Sequence, residues 1–201
     1  MTVNILLISD VECPALWDYY QPERVEGVDI IVSCGDLKRE YLEFLVTLTN
    51  KPVLYVPGNH DTGYLRNPPE GCECIDDTVF TCKGVRFLGL GGCKRYSQGA
   101  YQYSEEEMAR RIRKLRRPIR KAGGVDIIVT HAPMTGCGDA ADYAHRGFDC
   151  FVTLVEELRP LAFCHGHVHR SYAWNNPRVL DHCGTPVVNA YERYILTIPD
   201  R

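Results

Sequence analysis

The chain has 201 residues, 45% apolar and 24% charged, which suits one folded domain and excludes disordered, collagen-like or coiled-coil architecture. Lys and Arg number 23 against 26 Asp and Glu, so a net charge of −3 gives no overall basic excess to point to nucleic acid. The early apolar run Val3–Ile8 is too short for a secretion signal, and no stretch reaches the ~18 apolar residues of a membrane span, so a cytoplasmic protein with no membrane partner is expected.

Short apolar runs, most of them rich in β-branched residues, lie at 3–9, 28–34, 53–56, 85–90, 126–130, 161–164, 186–189 and 194–198, and they predict strands. Helical periodicity predicts helices at 37–49, 104–117 and 149–158. In the second of these, Ser104 and Glu107 make a capping box, and Met108, Ile112, Leu115 and Ile119 form one apolar stripe. No repeat or linker divides the chain, so one domain over residues 1–201 is expected, an α/β layered fold with a partly antiparallel second sheet. The ten cysteines are scattered without CxxC spacing and read as free thiols, with Cys72, Cys74 and nearby Cys82 as the one candidate soft-metal or redox group.

The residues just after the apolar runs are chemically uniform. Asp10 and Glu12 come after the first, Gly35-Asp36 after the second, and Gly58-Asn59-His60-Asp61 after the third. His131 comes after 126–130, and His165-Gly166-His167-Val168-His169 after 161–164. One Asp after a strand is usually a cap or turn residue. Five strand ends each carrying a coordinating side chain need another explanation. In open α/β sheets these ends form the ligand crevice, which would gather Asp10, Glu12, Asp36, Asn59, His131, His167 and His169. This set of oxygen and imidazole donors, without thiolate, suits Mn, Fe or Zn, and seven donors suit two ions sharing a carboxylate. Two divalent ions would attract an anion, generate hydroxide near neutral pH and clamp a phosphoryl group for in-line attack.

The ordered motifs Asp10-Val11-Glu12, Gly35-Asp36, Gly58-Asn59-His60-Asp61, His131 and Gly166-His167-Val168-His169 resemble those of the calcineurin-like metallophosphoesterases, and they span residues 10–169. The resemblance implies a four-layer α-β-β-α sandwich of two mixed sheets flanked by helices, with the metal site at the strand carboxyl ends. It implies that Asp10, Glu12, Asp36 and His169 hold one metal, and that Asp36 bridges to a second held by Asn59, His131 and His167. His60 would protonate the leaving oxygen, with Asp61 orienting its ring. The family has His where this chain has Glu12. A carboxylate there makes the first position harder and tilts the preference from Zn towards Mn or Fe.

Two arginines are candidate substrate clamps: Arg95, which with Tyr96 follows Gly91-Gly92, and Arg146, 15 residues after His131. His165 reads as a core or supporting residue. Residues 110–121 hold eight Lys or Arg, which read as the solvated side of a packed helix. The expected function is a dinuclear hydrolase, phosphatase or phosphodiesterase, attacking a small phosphoester with metal-bound hydroxide. The alternatives are a nuclease and a catalytically inactive scaffold of the same fold.

Overall fold

The structure, a computed structural model, describes residues 2–170 and 177–199. The first half contains β1 (Thr2–Ile8), β2 (Ile30–Ser33), α1 (Arg39–Thr49), β3 (Val53–Tyr55), β4 (Glu73–Cys74), β5 (Val79–Cys82) and β6 (Val85–Leu90). Then come β7 (Cys93–Lys94), β8 (Gln102–Tyr103), α2 (Glu105–Lys121), β9 (Ile127–Thr130) and α3 (Asp149–Leu158). The chain closes with β10 (Ala162–His165), β11 (Val179–His182), β12 (Thr185–Asn189) and β13 (Tyr194–Pro199).

Two mixed sheets carry the fold. One has the order β13-β1-β2-β3-β4, parallel except where β13 pairs antiparallel with β1. The other has the order β11-β12-β10-β9-β6-β5, with a parallel centre and an antiparallel hairpin at each edge. The alternation of side chains along a strand sorts the apolar residues into layers. In β1, Val3, Ile5 and Leu7 face the second sheet, where they meet a core that includes Phe87, Ile127, Val129 and Cys164. Leu6 and Ile8 face the other way, into a cluster with Leu37, Tyr41, Leu42 and Leu45 at α1. On the far side, Leu88, Ile128 and Phe163 meet Met108, Ile112, Leu115 and Ile119 of α2 and Phe151, Leu154 and Val155 of α3. The result is the four-layer α-β-β-α sandwich.

The three expected helices are present, and α2 starts on the capping box, with Ser104 Oγ accepting from the Glu107 backbone N–H and Glu107 accepting from that of Ser104. It continues past Pro118 to Lys121, further than the expected 117. Pro118 lies in the last turn, and the helix closes beyond it with the Ala122 backbone N–H donating to the Pro118 carbonyl. All ten cysteines are free thiols.

Candidate metal centre

Every strand expected to deliver a ligand ends at the same edge of the sandwich. β1, β2 and β3 of the first sheet lead into Asp10, Asp36 and Asn59; β9 and β10 of the second lead into His131 and into His167 and His169. Three of these residues sit in the left-handed region, Asp10 at φ 67°, Asp36 at φ 57° and His167 at φ 66°. Such backbone is uncommon outside glycine and turns the side chain sharply off the strand direction; it persists where the surroundings over-determine it. The glycines of the motifs let the loops close on one another. A Cβ on Gly58 would collide with the Asp36 carboxylate, and one on Gly166 with Ser9 Oγ.

His131, fully buried, is the hub. Its Nδ1 lies 2.7 Å from the Cys34 carbonyl, which can only accept, so Nδ1 carries the proton of the neutral ring. Nε2 then has only a lone pair, yet it faces Asn59 Oδ1 at 2.9 Å and Asp36 Oδ2 at 3.2 Å. Asn59 Nδ2 donates to the Tyr96 hydroxyl at 3.0 Å, which aims Oδ1 at His131. His167 Nε2 donates to the Ala144 carbonyl at 2.8 Å, leaving Nδ1 as its electron-pair atom. Donor atoms of Asp36, His131 and His167 lie within 4.8 Å of one another. Electron-pair donors facing each other in a buried pocket require a cation among them, a proton on His131 or a metal ion, and the residues therefore fit a divalent metal.

The electrostatics follow from this crowding. Burial works against charge on both partners, but Asp36 lifts His131 to about 9. Against the same burial penalty, His131 and the His60 backbone N–H hold Asp36 down at about 2. Burial raises Asp10 above the usual carboxylate value, and burial and then the charge of His131 lower His167 to about 3. His165, fully buried beside them, is lowered to about 4 by desolvation and places Nδ1 against the Gly166 carbonyl.

Around this hub, the carboxylate of Asp10 accepts the His167 backbone N–H at 2.9 and 3.1 Å and lies 3.8 Å from His169 Nε2. Glu12 accepts the Lys38 backbone N–H at 3.1 Å and lines a cleft of ≈ 400 Å³ with Asp36, His60, Asp61 and Tyr64. His60 is exposed on that cleft, and its backbone N–H donates to Asp36 Oδ1 at 2.8 Å. Asp61 is buried, and its Oδ2 accepts two backbone N–H groups, from Gly58 at 2.7 Å and from Asp36 at 2.8 Å. Burial raises its carboxyl to about 6.

Arg95 is half exposed and engages Glu107 at 2.8 Å and the Gln102 carbonyl at 3.3 Å. Arg146 is exposed, next to His145, whose ring lies 5.0 Å from that of His167. The groups not anticipated are the Cys34 and Ala144 carbonyls, which set the tautomers of His131 and His167. Any residue supplies a carbonyl, so neither left a signal in the sequence.

A sequence profile of the calcineurin-like phosphoesterases matches residues 3–171. No curated protein is matched. One crystal structure superposes over 98% of this chain and 95% of its own, at 16% identity and a TM-score of 0.72. The crystal structure of TT1561 of Thermus thermophilus superposes over 100% of both chains, at 17% identity and a TM-score of 0.70. At these identities the likeness is one of fold.

Proposed function

The chain belongs to the calcineurin-like phosphoesterase family, and on that premise we propose that it hydrolyses a small phosphate ester at the cluster around His131, with two divalent metal ions held there. One position is assigned to Asp10, Glu12, Asp36 and His169, the other to Asp36, Asn59, His131 and His167, with Mn or Fe as the ions and Zn also admissible. The observation that carries this reading is the convergence of Asn59 Oδ1 and Asp36 Oδ2 on the lone pair of His131 Nε2, with His167 beside them. Divalent metal bound there supplies Lewis-acid charge and makes water acidic enough to attack near neutral pH.

The protein's own groups do the rest. Asp36 sits where the two loop sets meet and is the carboxylate that both positions share. His60 faces the cleft beside Asp36 and Glu12, where its imidazole donates a proton to the departing oxygen of the ester. Asp61 ties the Gly58 and Asp36 backbones together and so fixes the loop from which His60 projects. Arg146, exposed beside His145, and Arg95 are the cationic side chains assigned to the substrate's outer charge.

The test is hydrolysis of para-nitrophenyl phosphate and of its bis ester by metal-stripped protein given Mn²⁺, Fe²⁺, Zn²⁺ or Mg²⁺ in turn. Mn²⁺ or Fe²⁺ should restore cleavage of at least one ester, and elemental analysis of the Mn²⁺-loaded protein should give two ions per chain. Metal binding without cleavage of either ester would instead favour a scaffold that has lost catalysis.

A further inference from the structure

A second set of metal-binding side chains lies away from the strand ends just described. Glu156 projects from α3, while His182 and Cys183 belong to the hairpin that joins β11 to β12. His182 Nε2 is 3.1 Å from Glu156 Oε1, and donor atoms of all three residues lie within 4.8 Å of one another. Two bonds of about 2.0–2.1 Å at a tetrahedral angle place N and O roughly 3.3 Å apart, so the Glu156–His182 pair already has the spacing of two ligands on one zinc ion.

The fold does not explain why the third residue is cysteine. His182 pairs with Thr185, leaving the two-residue turn Cys183-Gly184, both in the left-handed region at φ 53° and 84°. Such turns favour Asn, Asp or Gly at the first position. The equivalent turn in the other edge hairpin is Lys83-Gly84, which shows that this fold does not require a thiol there. Cys183 is exposed, so it fills no core either. Cys72, Cys74 and Cys82, the soft-metal candidates of the sequence, do not form a metal-binding group among the described residues.

We propose that Glu156, His182 and Cys183 bind one zinc-class divalent cation, with the fourth position open to water or an external ligand. The site opens onto a cleft of ≈ 280 Å³ lined by Val155, Glu156, Arg159, Cys183 and Thr185. On binding, the Cys183 thiol loses its proton to solvent. The proton that His182 Nε2 donates to Glu156 is also given up, to solvent from an imidazolium or by transfer to Nδ1 in the neutral ring, so that the cation takes the place of that hydrogen bond. Thiolate and imidazole select zinc or cobalt, whereas the oxygen-rich centre at the strand ends accepts Mn. The inference does not depend on phosphoesterase activity.

Titration of the metal-stripped full chain with Co²⁺ tests it, because the strand-end centre has no sulfur donor and, among the described residues, this is the metal-binding group that includes a thiol and can give a thiolate-to-cobalt charge-transfer band. The band should reach its full height within three equivalents, one ion for this site and two for the strand-end centre, and vanish when excess Zn²⁺ is added. Cys183→Asn places a residue favoured by the turn and should keep the fold, checked by circular dichroism, while abolishing the band. His182→Ala should weaken cobalt binding at least tenfold, and Glu156→Gln several-fold. His167→Ala, which damages only the strand-end centre, should leave the band intact. A wild-type chain without the band, its persistence in Cys183→Asn, or unchanged affinity in either of the other two hairpin-site variants would overturn the proposal.

Discussion

Asp36 and His131 share one charge problem, since His131 is buried, the Asp36 side chain is nearly so, and each is held ionised by the other in the metal-free chain. His131 rises to about 9 from an ordinary 6.5, so its proton stabilises the folded metal-free chain fully below about pH 6.5, and that contribution is lost as pH rises through 9. Asp36 has the opposite sign: its contribution is present above its ordinary 3.8 and is lost as pH falls through about 2. Denaturant melts of chelator-treated protein should therefore show stability falling between pH 7 and roughly pH 9.5, and His131→Asn should flatten that slope. An unsloped parent profile would mean that His131 carries no such proton. His60 poses a separate question at the same scale, because its ring faces the cleft and only its backbone engages Asp36. His60→Asn should retain both metals and slow cleavage of an alkyl phosphate ester by roughly 10²–10⁴-fold, with a smaller loss on para-nitrophenyl phosphate, whose leaving group needs no acid. An unchanged rate on the alkyl ester would remove His60 from the role of general acid.

The loops that follow β2 and β3 are joined by one carboxylate oxygen, that of Asp61, which accepts from both Asp36 and Gly58. Asp61→Ala leaves these two N–H groups without their acceptor in a buried loop, at about 1–3 kcal/mol each, and should also weaken metal binding by loosening Asp36. Asp61→Asn keeps an acceptor oxygen and should recover most of the stability. Denaturant melts of the two variants separate this tie from a purely orienting role towards His60, which would cost turnover in both and stability in neither. The elements themselves differ in how far the sequence announces them. β1, β2, β9 and β10 are buried along almost their whole length; β-branched runs mark the first three, and the short apolar run at 161–164 marks β10. β11 alternates exposed and half-buried residues at a sheet edge, and β4, β7 and β8 have two residues each, so none offers a hydrophobic period to read. In the site, the order of Asp, Asn and His after each strand was legible because it lies along the chain. The partners of Glu12 and Arg95 were not: the Lys38 N–H and the Glu107 carboxylate reach them through loop packing, which leaves no mark on spacing.

At the scale of the molecule, the candidate centre sits across the seam of the sandwich. Asp10, Asp36 and Asn59 come from one sheet, His131, His167 and His169 from the other, and direct bonds across the seam are few and polar there, such as His131 to the Cys34 carbonyl and the His167 N–H to Asp10. An ion held by donors from both sheets binds the folded state and not the unfolded chain, so it stabilises by mass action. At a hundredfold excess over its dissociation constant, one ion contributes about 2.7 kcal/mol. For a chain of this size each kcal/mol moves the melting midpoint by about 2–4 °C, so one ion should raise it by roughly 5–11 °C. Mn²⁺ is the ion to use, because a thiolate-containing surface site discriminates against it. Chelation should reverse the shift, and it should grow with Mn²⁺ concentration without a plateau, as linkage requires. Asn59→Ala and Asp10→Ala remove one donor from opposite proposed metal positions but from the same sheet, and His131→Ala one from the facing sheet; each should reduce the shift relative to its own metal-free midpoint. A midpoint indifferent to Mn²⁺ in the parent chain would show that the two sheets close without an ion between them, and that the convergence on His131 is satisfied by its proton alone.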